Sequence, residues 1–169
     1  MRRLITFVFF FIVAICFAGC TRPKNVTENQ INVMENFTKW AEIYQVTLNS
    51  YLKQDTALNE GIEFIAIDFS TLEFSNEYDK RAIVTWFEKK QFYVKDINLD
   101  GLRKEDLFDG TFISNGIFLT INKITEKNNE IIIEGMKYRG VRAANWFETK
   151  WQLNNDIWEF TETVMTSIS

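Results

Sequence analysis

The chain has 169 residues, with 19 basic and 23 acidic side chains and a formal charge of −4. Such a balance argues against nucleic acid as a general partner, because that binding neutralises phosphates with Lys and Arg. It contains no histidine, so a Ser-His-Asp or Cys-His mechanism lacks its base and a zinc site would need carboxylates alone. Any catalysis would run on Asp, Glu, Lys, Tyr or Ser, and no cofactor is expected.

Arg2 and Arg3 precede an apolar run from Leu4 through Phe17, followed by Ala18, Gly19 and Cys20. A charged start, an apolar stretch and a small-residue exit have the form of an export signal. The run falls short of the roughly 20 residues that span a bilayer comfortably. Phe17-Ala18-Gly19-Cys20 resembles the lipobox of bacterial lipoproteins, with Phe17 standing where that family most often has Leu. The resemblance implies that residues 1–19 are a signal peptide and that Cys20 is lipidated. It also implies that membrane lipid is a partner and that the mature chain lies outside the cytoplasm.

Residues 20–26 then form the lipidated cysteine and a short polar tether, and residues 27–169 a single globular domain. Loss of Arg2 and Arg3 leaves 17 basic against 23 acidic residues in a mature chain of 150, the size of one domain. Cys16 leaves with the signal and Cys20 carries lipid, so the domain has no thiol for a disulfide. Its stability has to come from an apolar core rich in aromatics.

Thr27 and Gln30 form a capping box with Val26 and Ile31 as its staple. Met34, Phe37, Ala41, Tyr44, Leu48 and Tyr51 follow at spacings of three and four, which predicts a long helix from about Thr27 to Lys53. Ile62 to Phe69 has the content of a strand, Ser75 offers a cap for a second helix running to about Lys90, and Gln91 to Ile97 returns to strand-like alternation. Ile117–Ile124, Glu130–Glu134, Asn145–Leu153 and Ile157–Val164, joined by short turns, predict an antiparallel meander.

Helix, strand, helix and a run of strands describe an α+β domain with two helices on one face of a curved antiparallel sheet. The element order resembles the cone-shaped NTF2-like fold, which implies a pocket between helix and sheet. More locally, "DGTFISNGIFLTINKI", "KYRG", "NWFETKWQL" and "MTSIS" resemble small lipoproteins of low-GC Gram-positive bacteria, over roughly residues 60–169. That likeness implies a surface location and supplies no activity or site residues.

Four groups of residues are candidates for function. Asp96, Asn98, Asp100 and Gly101 match the first half of an EF-hand-type calcium loop, but Leu107 falls where the bidentate acid belongs and Arg103 and Lys104 sit inside the loop. A turn is the first reading of this stretch and a weak calcium site at Asp96, Asn98 and Asp100 the second. Lys137, Tyr138, Arg139, Arg142, Trp146 and Lys150 form a basic and aromatic group suited to a carboxylate or phosphate, with Lys137 and Arg139 on one face of a strand and Tyr138 on the other. Its bland alternative is a charged sheet surface.

The five tryptophans, Trp40, Trp86, Trp146, Trp151 and Trp158, read as core, with room for one lining a pocket. Asp68, Glu73, Glu77, Glu148 and Glu162 are the acids an acid-base mechanism would draw on. The expectation is a non-enzymatic surface lipoprotein that binds an envelope protein or peptide. A small-ligand carrier with a pocket between helix and sheet comes second, and a carboxylate-based hydrolase third.

Overall fold

A computed structural model describes residues 38–169. Helix α1, Lys39–Lys53, starts where Thr38 holds an extended backbone and its side chain accepts from the Trp40 N–H. The described helix therefore starts at Lys39, and the portion of the expected helix from Thr27 to Phe37 lies outside the described residues. A 3-10 turn, Thr56–Asn59, leads to β1, Phe64–Ile67. A second 3-10 turn, Phe69–Thr71, leads to α2, Glu77–Glu88. The cap of α2 is Asn76 rather than Ser75, in a reciprocal capping box with Asp79. Strand β2, Tyr93–Asp96, and the short helix α3, Leu99–Lys104, precede the long strands β3, Gly116–Lys127, β4, Glu130–Gly140, β5, Ala143–Asn154, and β6, Ile157–Ile168. None of the described helices is long and apolar enough to cross a membrane.

The six strands form one sheet in the order β2-β1-β3-β4-β5-β6. β3 to β6 are the antiparallel meander the sequence predicts. The turn from β5 to β6 places Asn155 and Asp156 both at positive φ, as a two-residue type I′ hairpin requires. The all-antiparallel expectation fails at the other end, where β1 pairs in parallel with both β2 and β3. The reason is topological: parallel strands need a crossover, and helices are the crossovers available here. The step β1-α2-β2 goes one way along the sheet and β2-α3-β3 returns past β1. Right-handed crossovers in opposite directions must use opposite faces.

Packing shows that consequence. Ile65 and Ile67 of β1 join α1 and α2 in the main core, with Ile83 and Phe87 from α2. Their neighbours Phe64 and Ala66 face the other way and pack with Leu102 of α3, Phe108, Ile113 and Phe118. α1 fits its face of the sheet closely. Tyr51 stacks on Phe147 at 4.7 Å and passes over Gly135, where a Cβ would stand 2.6 Å from the Tyr51 hydroxyl oxygen. Tyr44, Leu48 and Tyr51 have no solvent exposure.

Candidate functional site

The basic group divides between the two faces of the sheet. Lys137 is fully buried, pointing at the C-terminal end of α1, where the last carbonyls of a helix have no partner of their own. Its Nζ donates to the Gln54 carbonyl, to the Asp55 carbonyl at 2.9 Å and to Asn59 Oδ1 at 3.2 Å. Burial pulls the ammonium down to about 8, partly opposed by the Asp55 charge. Arg139 continues the same work, donating to the Leu58 and Glu60 carbonyls at 2.9 and 2.7 Å and lying over the Phe112 ring. The expectation that Lys137 and Arg139 receive an external anion is therefore corrected: both cations are committed to the chain's own backbone.

Tyr138 faces the opposite side, edge-on to Phe108, and Arg142 is exposed in the turn between β4 and β5. The alternation was legible in the sequence; the carbonyl cluster was not, because it forms between segments about 80 residues apart.

The stretch from Asp96 to Gly101 is a strand end followed by a helix start. Asp96 closes β2, Asn98 caps α3 by accepting from the Gly101 N–H at 2.8 Å, and Asp100 pairs with Arg103 at 3.1 Å. Gly101 is not at positive φ, contrary to the turn reading; a Cβ there would run into the Ile97 side chain. Among the described residues, no three His, Cys, Asp or Glu side chains are grouped so as to hold a metal ion.

The candidate acids also separate. Asp68 caps the 3-10 turn that follows β1. Glu73 and Glu77 are exposed, Glu77 pairing with Lys80 at 2.9 Å. Glu148 and Glu162 lie on the sheet face away from α1 and share Lys150, at 3.6 and 3.1 Å.

That outer face supplies the candidate site. α3 and the residues after it cover it only as far as Met136 and Tyr138. Beyond them the alternate residues Ile132, Glu134, Trp146, Glu148, Lys150, Glu162 and Val164 have none of the described helices above them, while Ile131, Ile133, Phe147 and Trp151 fill the core behind. Asn122, Glu134, Trp146, Glu148 and Thr166 line a depression of about 230 Å³ there. Glu134 and Glu148 stand directly opposite each other on β4 and β5, a like-charge arrangement that costs stability. Lys123, at 2.7 Å from Glu134, and Lys150 each offset one charge from the side. Trp146, half-buried and paired with Met136 in the row next to the two carboxylates, is the one tryptophan outside the core clusters. It can meet an apolar stem or a cation on its face, and the carboxylates can accept from a donor above it.

A second depression of about 380 Å³ lies at the β2 edge, among Glu63, Phe64, Tyr93, Lys95, Glu105 and Asn115. There Lys95 is already paired with Glu105 at 2.8 Å and Asn115 with Glu63 at 3.2 Å. No family model matches the chain, and no curated protein or solved structure matches it.

Proposed function

We propose that the chain is a membrane-anchored surface lipoprotein, held by lipid on Cys20. Its domain is a non-enzymatic binding module for an envelope protein or peptide. The observation that carries the binding reading is the Glu134–Glu148 pair beside Trp146 on a sheet face that none of the described helices covers. Like charges held opposite each other favour a cationic group between them, so the partner segment offers Lys or Arg with an apolar stem. The lipobox-like Phe17-Ala18-Gly19-Cys20 supports the anchor and an extracytoplasmic location.

The carrier reading needs a pocket between α1 and the sheet, as does the finer NTF2-like reading of the fold. Tyr44, Leu48 and Tyr51 occupy that space and weigh against both. The test is a titration of the protein with short extended peptides carrying one Arg or Lys, read by tryptophan fluorescence against a Trp146→Phe control. Saturable binding that weakens several-fold in Glu134→Gln and Glu148→Gln is expected. Equal response to peptides with Glu in place of the cation would sink the reading.

A further inference from the structure

Phe74 is 60% exposed and its backbone lies at φ +64. Bulky side chains rarely adopt that left-handed conformation, and the other described non-glycine residues that do are Asn, Asp and Gln. A strained backbone that persists is over-determined by its surroundings and is a reason to ask about function. Here the surroundings are a stack of rings. Phe74 lies on Trp40 at 5.0 Å, Trp40 lies on Tyr44 at 5.4 Å, and the Tyr44 hydroxyl donates to the Glu73 carbonyl. The stack holds an aromatic ring out in solvent.

Further apolar groups adjoin it. Tyr78, in the first turn of α2, is 37% exposed with the Arg81 guanidinium 4.9 Å over its ring. Lys39 spans the Trp40 and Trp158 rings at 5.2 and 4.8 Å. This corner is also where the upstream chain joins the domain. Asp79 of α2 accepts from the backbone N–H and the hydroxyl of Thr38, both at 2.8 Å. Seventeen residues separate Thr38 from Cys20, a reach of about 60 Å at most.

We propose that Phe74 and Tyr78 form the surface by which the domain rests on the bilayer that holds its own anchor. This inference depends on the lipoprotein reading of Cys20. The amphipathic Tyr78 ring suits the headgroup level of a membrane, the Phe74 ring can bury beneath it, Arg81 can meet a lipid phosphate, and tethering supplies the effective concentration that lets a small patch engage. Glu73 and Glu77 flank the patch and Glu77 already neutralises Lys80. The contact is therefore apolar rather than polybasic, and it persists in high salt.

The test uses the full lipidated chain in vesicles of phosphatidylethanolamine and phosphatidylglycerol, with a fluorophore on Phe74→Cys, Tyr78→Cys or, as the far control, Glu60→Cys. Once the signal is removed and Cys20 is acylated, the introduced thiol is the only one. Lipid-borne quenchers should dim the labels at 74 and 78 several-fold more than the label at 60, in low and high salt alike. The position 78 label, on α2 and outside the ring stack, decides the matter where Phe74→Cys disturbs that stack. Equal quenching at all three sites on a chain that stays vesicle-bound overturns the surface and leaves the anchor standing. Shielding at 74 and 78 from aqueous and lipid-borne quenchers alike assigns the patch to the chain's own Ile31, Met34 and Phe37 and overturns it too. Unchanged membrane retention in Cys20→Ser removes the lipoprotein reading and this inference with it.

Discussion

Asp79 fastens Thr38, the cap of α1, to the first turn of α2. One fully buried carboxylate accepts from the Thr38 N–H and hydroxyl and, at 3.0 Å, from the Asn76 N–H. Two helix starts thus depend on a single side chain. Asp79→Ala removes both supports and leaves buried donors without partners, at a cost of about 3 kcal/mol. The exposed Glu77→Ala next to it should cost less than about 0.5 kcal/mol. Urea unfolding of the two variants checks this, and equal midpoints would show that the helices start independently.

Lys137 makes stability depend on pH in a direction that can be worked out. Its folded pKa of about 8 lies below the ordinary 10.5, so between those values the unfolded chain binds more protons. The penalty for burying the charge is fully present below pH 8 and fades as pH rises through 10.5, which adds up to about 3 kcal/mol of stability. Burial raises Tyr44 and Tyr51 above 10, so from there the unfolded chain loses phenolic protons first and stability falls again. Denaturant midpoints should therefore rise from pH 8 to about 10 and then decline. Lys137→Met should flatten the rise, and an unchanged rise in that variant would assign it to another group.

The fate of Lys137 also shows what the sequence can reveal. Its strand, its alternation against Tyr138 and the antiparallel partners of β4 follow from local patterns, because side chains alternate along a strand whatever lies beyond it. Its role follows from where Gln54, Asp55 and Asn59 end up, which depends on how α1 is laid across the sheet. The parallel pairing of β1 escaped for the same reason: Phe64–Ile67 is short and buried on both faces, and such a run carries no alternation to mark its neighbours. Likewise, the Glu134–Glu148 pair needed the register of β4 against β5, and a slip of one residue would have reversed every face.

Gly135 is required by close approach. A methyl group there meets the Tyr51 hydroxyl oxygen at 2.6 Å and the Thr120 carbonyl at 2.7 Å. The carbonyl belongs to the paired strand β3 and cannot yield cheaply. Gly135→Ala should destabilise by about 1–3 kcal/mol through overpacking. Gly135→Ala combined with Tyr51→Phe, which removes the hydroxyl, should recover part of the loss. Thermal melts of the single and double variants measure the coupling, and simple additivity would mean that the Thr120 carbonyl, not Tyr51, sets the limit.

Asn98 distinguishes a helix start from a calcium loop. As the cap of α3 its side chain satisfies the Gly101 N–H, so Asn98→Ala should cost about 1 kcal/mol with or without calcium. Asp100→Asn, which loses only the exposed pair with Arg103, should shift stability by no more than about 0.5 kcal/mol. A calcium ligand would behave differently: saturating metal stabilises the folded state by mass action, by about 2.7 kcal/mol at a hundred times its dissociation constant. Replacing Asp96, Asn98 or Asp100 would then abolish the gain. Melting curves in calcium and in EDTA should superimpose for the parent chain and differ from Asn98→Ala by the same interval. A calcium-dependent rise that Asp96→Ala removes would show that the six residues form an ion site after all, with the helix cap as its apo state.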